Sequence, residues 1–200
     1  YASGSNNTFL GYRAGKGGTT SAPFSSGASN VGIGYYALRN FTTGYSNTVA
    51  GVNAGDAITS GYENAIFGQG AGGSLTDGHD NVIIGASAGT TTTSVGAAVI
   101  IGEFAGGSGN ITDAADGVVL IGAGAGRYLT TGANNIAIGY QSMGGTWADV
   151  QSNYNVAIGD YSMDAALNGA LNNTALGHYT LSSLTEGDSN VALGYNAGGS

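Results

Sequence analysis

A short motif, in outline Asn, three residues, Gly, two residues, Ala and Gly, recurs eleven times along this chain of 200 residues. Neighbouring copies are most often 17 residues apart, and the longer gaps are 18, 20 and 23 residues. Such self-similarity is typical of a solenoid, in which each repeat forms one coil and stacks on the next. The repeats therefore predict one continuous repetitive domain over residues 1–200. The motif glycines are Gly11, Gly34, Gly51, Gly68, Gly85, Gly102, Gly122, Gly139, Gly159, Gly177 and Gly194.

The three residues before each motif glycine are apolar or threonine and never charged. A short run of this kind between Asn and Gly predicts a strand, and alternate side chains of a strand point to opposite faces. Both faces of the predicted sheet are therefore apolar, as in sheets that are covered on both sides. The coil interior covers one face, and no helix-length segment is available for the other. We expect copies of the chain to cover it in a closed homo-oligomer; the alternative is a monomer with an exposed apolar stripe.

Asparagine stands four residues before the motif glycine in nine of the eleven copies, and Ala98 and Val118 replace it in the other two. Stacked once per coil, these amides are expected to form a structural ladder that satisfies turn backbone groups and neighbouring amides. Only Ala, Ser or Thr follows three residues after the motif glycine, often before another Gly, which predicts a second short strand or a tight corner. The ladder residues are Asn7, Asn30, Asn47, Asn64, Asn81, Asn135, Asn155, Asn173 and Asn190.

Charge and composition argue against several classes of partner. Four Lys and Arg residues stand against twelve Asp and Glu, for a net charge of −8, whereas phosphate backbones require clustered positive charge. We therefore expect no nucleic-acid partner. No apolar run approaches the roughly 20 residues that span a bilayer, so no direct membrane insertion is expected. The chain has no cysteine, which excludes disulfides and thiolate metal sites.

Motifs that suggest catalysis are weak. A formal Gly-x-Gly-x-x-Gly at 68–73 coincides with repeat positions and lacks the helix that a dinucleotide fingerprint needs. His79 and His178 belong to coils that are far apart in the predicted stack, so they do not form a shared metal or nucleophile site. Asp113 and Asp116 are explained as solvated turn carboxylates, with calcium ligation as the alternative. We predict no enzyme activity, no metal and no cofactor.

Several repeats resemble known families: Asn155-Val-Ala-Ile-Gly159, Asn135-Ile-Ala-Ile-Gly139 and Asn190-Val-Ala-Leu-Gly194-Tyr-Asn-Ala. They are similar to the head repeats of trimeric autotransporter adhesins, which form a left-handed parallel β-roll. They are also similar to the longer repeats of phage tail fibres, and the 17-residue spacing favours this second type. The resemblance covers essentially the whole chain. It implies an all-β, parallel, left-handed β-roll-like solenoid of about eleven 17-residue coils, assembled as a homotrimer.

The same resemblance implies attachment as the function. We expect a structural and adhesive segment of a longer trimeric fibre, of the phage tail fibre or receptor-binding type, located outside the cell or on a virion surface. It would display host-contacting loops on a rigid rod and bind a host surface glycan or protein receptor. The alternative is a bacterial surface adhesin or a self-assembling extracellular filament. A third class, a glycan depolymerase, would need two or more carboxylates in one groove.

Candidate ligand contacts come from the insertions and the tyrosines. Loops that project from a rigid scaffold usually carry binding; the insertion at 16–29 contains Phe24, and that at 144–151 contains Trp147, our first choice. Aromatic rings stack on sugar faces and anchor interfaces, which favours Tyr140, Tyr161 and Tyr179 as further contacts. The alternatives are that Trp147 covers a local apolar patch and that the tyrosines are ordinary exposed β residues. The wider tyrosine strip also includes Tyr12, Tyr35, Tyr36 and Tyr195.

Overall fold

A computed structural model describes residues 4–18, 25–147 and 151–199. Each repeat contributes one strand of three residues, and the eleven strands pair in parallel and in chain order to form a single sheet. The all-β parallel solenoid predicted from the repeats is therefore confirmed. Coils are numbered here by their strands. The strands are β1 Thr8–Leu10, β2 Val31–Ile33, β3 Thr48–Ala50, β4 Ala65–Phe67, β5 Val82–Ile84, β6 Val99–Ile101, β7 Val119–Ile121, β8 Ile136–Ile138, β9 Val156–Ile158, β10 Thr174–Leu176 and β11 Val191–Leu193.

Strand register keeps equivalent residues of successive repeats directly above one another. Ile83 of β5 pairs with Ile66 of β4 on one side and with Ile100 of β6 on the other. The longer gaps leave this register intact, because Ile101 still pairs with Ile121 across one of them. Insertions are therefore absorbed in the turns. In the described ranges the one helical element is a 3-10 turn, Asp113–Ala115, which lies in such an insertion.

The chain turns sharply after each strand. The residue two after the motif glycine has a left-handed backbone in every coil, with φ of 61° at Tyr36 and 55° at Ser87. The residue four after it is also left-handed, even where it is Leu38 or Met143. This conformation disfavours non-glycine residues by roughly 1–2 kcal/mol, and hydrogen bonds between coils offset that penalty: the Met143 N–H, for example, donates to the Ser162 carbonyl at 2.9 Å. Of the two predicted alternatives, the corner is the one formed.

Two positions in each coil share the interior volume: the strand-centre position, two before the motif glycine, and the corner position, four after it. Where the strand-centre residue is large, the corner residue is glycine; a Cβ added to Gly72 would lie 3.1 Å from the Ile66 side chain. In four of the five coils where the strand-centre residue is Gly or Ala, the corner residue is Leu or Met; the exception is the last coil, with Ala192 and Gly198. The first kind of pair is Phe9/Gly15, Val49/Gly55, Ile66/Gly72, Ile83/Gly89, Ile100/Gly106 and Leu120/Gly126, and the second is Gly32/Leu38, Ala137/Met143, Ala157/Met163 and Ala175/Leu181.

The first and third residues of each strand point outward. Their side chains are Thr, Val, Ala, Ile, Leu or Phe, and all of them are at least partly exposed, whereas the central residue is buried in β2 to β10. Ile84 is 37% exposed and Leu193 is 74% exposed. The single chain therefore presents two apolar rows along the outside of its sheet.

The asparagines form two hydrogen-bonded ladders. Within a ladder each amide nitrogen donates to the amide oxygen of the preceding asparagine, as from Asn47 to Asn30 at 3.0 Å, and also to a turn carbonyl, here that of Gly61 at 2.8 Å. The backbone N–H of Asn47 donates to the same Asn30 oxygen at 3.0 Å. These bonds satisfy amides that are almost completely buried in every rung except Asn7, which is partly exposed, and Asn190, which is exposed. The first ladder joins Asn7, Asn30, Asn47, Asn64 and Asn81, and the second joins Asn135, Asn155, Asn173 and Asn190.

The ladders are separated at coils 6 and 7, where the column holds Ala98 and Val118. The Ala98 backbone N–H still donates to the Asn81 amide oxygen at 2.9 Å. Ala98 has no side-chain amide, however, so it offers no acceptor to the next coil and the ladder ends. On the other side of the gap, the amide nitrogen of Asn135 donates to the Gly132 carbonyl of its own coil at 2.7 Å. The ladder is therefore interrupted at the two coils in which the sequence lacks the asparagine.

Candidate ligand-binding face

The residues one and two after the motif glycine form the outer corner of the solenoid, and aromatic side chains gather there in two places. In coils 1 and 2, Tyr12, Tyr35 and Tyr36 form what we call the N-terminal aromatic cluster. The rings of Tyr12 and Tyr35 stack with centroids 5.4 Å apart, and those of Tyr35 and Tyr36 lie 4.1 Å apart. Parallel coils place equivalent residues about 4.8 Å apart, which suits ring stacking. Tyrosines in one column of consecutive repeats are therefore brought into contact by the fold.

The C-terminal aromatic cluster comprises Tyr140, Tyr161, His178, Tyr179 and Tyr195. Tyr161 stacks on Tyr179 with centroids 5.1 Å apart, and it meets Tyr140 edge to face at 5.3 Å. His178 extends the cluster to Tyr195 at 5.7 Å. Tyr140 and Tyr179 are 47% and 37% exposed. The structure thus brings together the three tyrosines that the sequence favoured as ligand contacts.

Trp147 has a different place from the one expected. Its side chain is only 8% exposed and belongs to the buried core. The indole N–H donates to the Met143 carbonyl at 3.3 Å, and the ring lies against Gly132, which has no side chain to obstruct it. Burial leaves almost none of the ring for a ligand, so the alternative, an apolar cover, fits Trp147 better. Phe24 lies outside the described residues.

A groove of about 470 Å³ adjoins the N-terminal aromatic cluster, and the sequence did not single it out. It crosses coils 2 to 5 on the outer corner. Gly70 is one of its lining residues. At the position two after the motif glycine, Gly70 and Gly124 are the two residues without a side chain. The missing side chain of Gly70 is the one sequence signal that could have indicated the groove. The lining residues are Tyr35, Tyr36, Arg39, Asn53, Asp56, Gly70, Gly73, Ser74 and Thr90.

Charge in this groove is concentrated in one ion pair. The Arg39 guanidinium lies 3.1 Å from the Asp56 carboxylate and 4.6 Å from the centroid of the Tyr36 ring. Burial raises the pKa of the Asp56 carboxyl, and the Arg39 charge offsets part of that increase. A hydrogen bond with Tyr35 lowers the pKa of the Tyr36 phenol, and the nearby Arg13 and Arg39 guanidinium groups lower it further. The groove therefore offers a paired cation and anion beside an aromatic wall.

The other column glycine, Gly124, lies in a smaller groove of about 170 Å³. Arg127 again lies over an aromatic ring, 5.2 Å from the Phe104 centroid. Here, however, the Gln141 side chain folds across the glycine: a Cβ on Gly124 would come within 2.4 Å of its amide. The space that Gly124 leaves in this second groove is therefore occupied by Gln141.

The remaining candidate chemistry does not converge. His79 ends a stack with Tyr45 and Tyr62, whose successive ring centroids are 4.9 Å apart, on a face that does not include His178. Among residues 4–18, 25–147 and 151–199, no group of three or more His, Cys, Asp or Glu side chains is arranged to hold a metal ion. Nor do these ranges contain a helix of the length and hydropathy needed to cross a membrane.

Searches against protein-family models, curated proteins and solved structures gave no match for this chain. Its function is therefore inferred from the geometry of the solenoid itself.

Proposed function

We propose that this chain is a structural and adhesive segment of a trimeric attachment fibre, of the phage tail fibre or receptor-binding type, that acts outside the cell or on a virion surface. In this role the solenoid is a stiff spacer, because each coil is hydrogen-bonded to its neighbours along the axis. The outer aromatic clusters contact a glycan or protein on the host surface.

The observation that carries this proposal is the pair of apolar rows on the outside of the sheet. Eleven strands at a spacing of about 4.8 Å extend these rows for roughly 50 Å. Soluble proteins seldom leave a contiguous apolar surface of that length uncovered. Copies of one chain arranged about a common axis would bury the rows against each other with closed symmetry, and three copies is the number that the repeat resemblance implies.

Adhesion is the second part of the proposal, and the exposed tyrosines support it. Aromatic side chains are the commonest energetic anchors of binding surfaces. A trimer would carry three copies of each aromatic cluster, and several weak contacts made at once add up to useful avidity. The rod would hold these clusters at fixed spacing.

The oligomeric state is tested by light scattering of the purified chain. We expect a mass three times that of the 19.5 kDa chain. Replacing outward residues of neighbouring strands, in Ile84→Lys/Ile101→Lys, should lower the mass to that of one chain, because the buried charges would be unpaired. The matched control, Thr43→Lys/Ser60→Lys, adds the same charges to exposed turn residues and should stay trimeric. A wild-type mass of one chain, with the β spectrum intact, would contradict the trimer.

Adhesion is tested by binding of the labelled chain to a panel of bacterial cells. We expect binding to some strains and its loss in Tyr161→Ser/Tyr179→Ser, which removes the centre of the C-terminal aromatic cluster. If a folded, trimeric chain binds to no strain, the adhesive role is wrong and only the role as a structural spacer stands.

A further inference from the structure

We propose that the groove at Gly70 is a binding subsite for a neutral hexopyranose unit of a surface glycan. The proposal rests on the adhesive function above and gives it a ligand class and a location. Three features of the groove support it: an open floor, an aromatic wall, and a set of polar groups matched to sugar hydroxyls.

The floor of the groove is open because Gly70 has no side chain, although its backbone conformation does not require glycine. Gly70 has φ of 65°, but the equivalent residues Tyr36, Asn53 and Ser87 adopt nearly the same backbone with full side chains. The backbone therefore does not require glycine at this point. A Cβ added to Gly70 would have no atom closer than the Ser87 hydroxyl at 3.8 Å. The absence of a side chain leaves space that a ligand can occupy.

The aromatic wall is the end of the N-terminal aromatic cluster. Coils 1 and 2 place tyrosines on the outer corner, whereas coil 3 places Val52 and Asn53 there, so the run of rings stops where the groove begins. Tyr35 is 45% exposed. The C–H face of a pyranose ring packs on aromatic rings of this kind, which supply large rigid contact area.

The polar groups belong to the same lining as that wall. The Asn53 amide, the Asp56 carboxylate and the hydroxyls of Ser74 and Thr90 all line it. Neighbouring sugar hydroxyls both donate and accept hydrogen bonds, so they fit a surface that mixes carboxylate, amide and hydroxyl groups. Arg39 holds the carboxylate in place at 3.1 Å. The volume of about 470 Å³ is within the range of small-ligand sites.

Charge decides between neutral and acidic sugars. The one guanidinium that lines the groove, that of Arg39, is already paired with Asp56, and the chain carries a net charge of −8. A uronate or sialate would bring a further negative charge into a groove whose one lining cation is already paired. The nearest other guanidinium, that of Arg13, lies outside the lining and donates to the Tyr36 hydroxyl at 3.3 Å. A neutral hexose meets no such repulsion.

A glycan array probed with the intact labelled chain tests the proposal. We expect binding to glycans with exposed neutral hexoses. Tyr36→Ser removes one of the two rings of the wall, and Gly70→Gln fills the floor with the side chain that the same column already carries at Gln141, where φ is 53°. Each change should weaken binding about tenfold. Tyr154→Ser is the matched control, since Tyr154 is exposed with φ of 59° but lies outside the groove; it should bind like the wild type.

Binding to acidic glycans alone, binding to none, or undiminished binding by a folded Gly70→Gln chain would each overturn the proposal. Thermal melts followed by circular dichroism establish that each variant is folded. Applying the same variants to the bacterial cells separates the two proposals. If the wild type adheres and the groove variants adhere equally well, the groove proposal fails and the adhesive role stands. If the wild type adheres to no cell, the adhesive role fails, whatever the array shows.

Discussion

Coils 3 to 7 and coils 8 to 10 fill the same interior space from opposite sides. In coils 3 to 7 a Val, Ile or Leu at the strand centre faces a corner glycine, whereas in coils 8 to 10 an alanine at the strand centre faces Met or Leu. This exchange does not change the strand pairing, since Leu120 of β7 still pairs in register with Ala137 of β8. The fold therefore fixes the summed side-chain volume inside a coil rather than the residue at either position.

The largest expected effect comes from converting one coil from the first kind to the second. Ile66→Ala should destabilise the rod by about 2–5 kcal/mol through the cavity it leaves, and Gly72→Leu by about 1–3 kcal/mol through overpacking. The double variant should be more stable than either single variant, because Leu at the corner fills the space that Ile66 vacates. Chemical denaturation followed by circular dichroism measures all three. Losses that simply add would mean that the two positions do not share one volume.

The two regions also carry separate asparagine ladders, and the next effect concerns these. The Asn64 amide donates to Asn47 and to the Gly78 carbonyl, and it accepts from Asn81. Asn64→Ala should therefore destabilise the rod by about 1–3 kcal/mol, because buried partners lose their hydrogen bonds. Asn155→Ala should have an equal effect in the second ladder.

The last rung of the second ladder provides the control. Asn190 is exposed, so water can replace the bonds that its amide makes. Asn190→Ala should lower stability by less than either buried variant in the same denaturation experiment. An equal loss at Asn64 and Asn190 would show that burial of the ladder adds nothing to it.

The smallest effect compares two aspartates at equivalent positions, Asp56 in coil 3 and Asp164 in coil 9. Burial raises the pKa of both carboxyls, and only Asp56 has an arginine to offset it. A raised folded-state pKa means that the fold favours the protonated form. The contribution of Asp164 to the free energy of unfolding is therefore most favourable below its unfolded pKa near 3.9, and it declines as the pH rises through the folded-state pKa. Asp164→Asn should therefore raise the melting temperature slightly at pH 7 and leave it unchanged near pH 3.

Asp56→Asn should show a smaller gain, or none, at pH 7, because it also breaks the ion pair with Arg39. Thermal melts of both variants at the two pH values test this pair. A gain at Asp56 that matches the gain at Asp164 would mean that the ion pair contributes nothing.

The sequence predicted the sheet, its parallel order and the ladder, because each depends on a residue type that recurs at a fixed spacing. The pairing of Ile66 with Gly72 was also present in the sequence, but the fold was needed to show that these two columns face each other. Trp147 was preferred as a ligand contact because it lies in an insertion and insertions usually project, whereas the fold turns its ring into the core. The groove was missed because it results from a side chain that Gly70 lacks.

The interruption of the ladders at Ala98 and Val118 bears on how such a rod fails under load. In a solenoid, the hydrogen bonds between coils run along the long axis, so a pulling force passes through every junction in series. Tensile strength is then set by the weakest junction, whatever the total number of bonds. The junctions on either side of Val118 lack the side-chain amide bonds found in both ladders. A stretched rod would therefore separate there first, and each half would keep its own ladder.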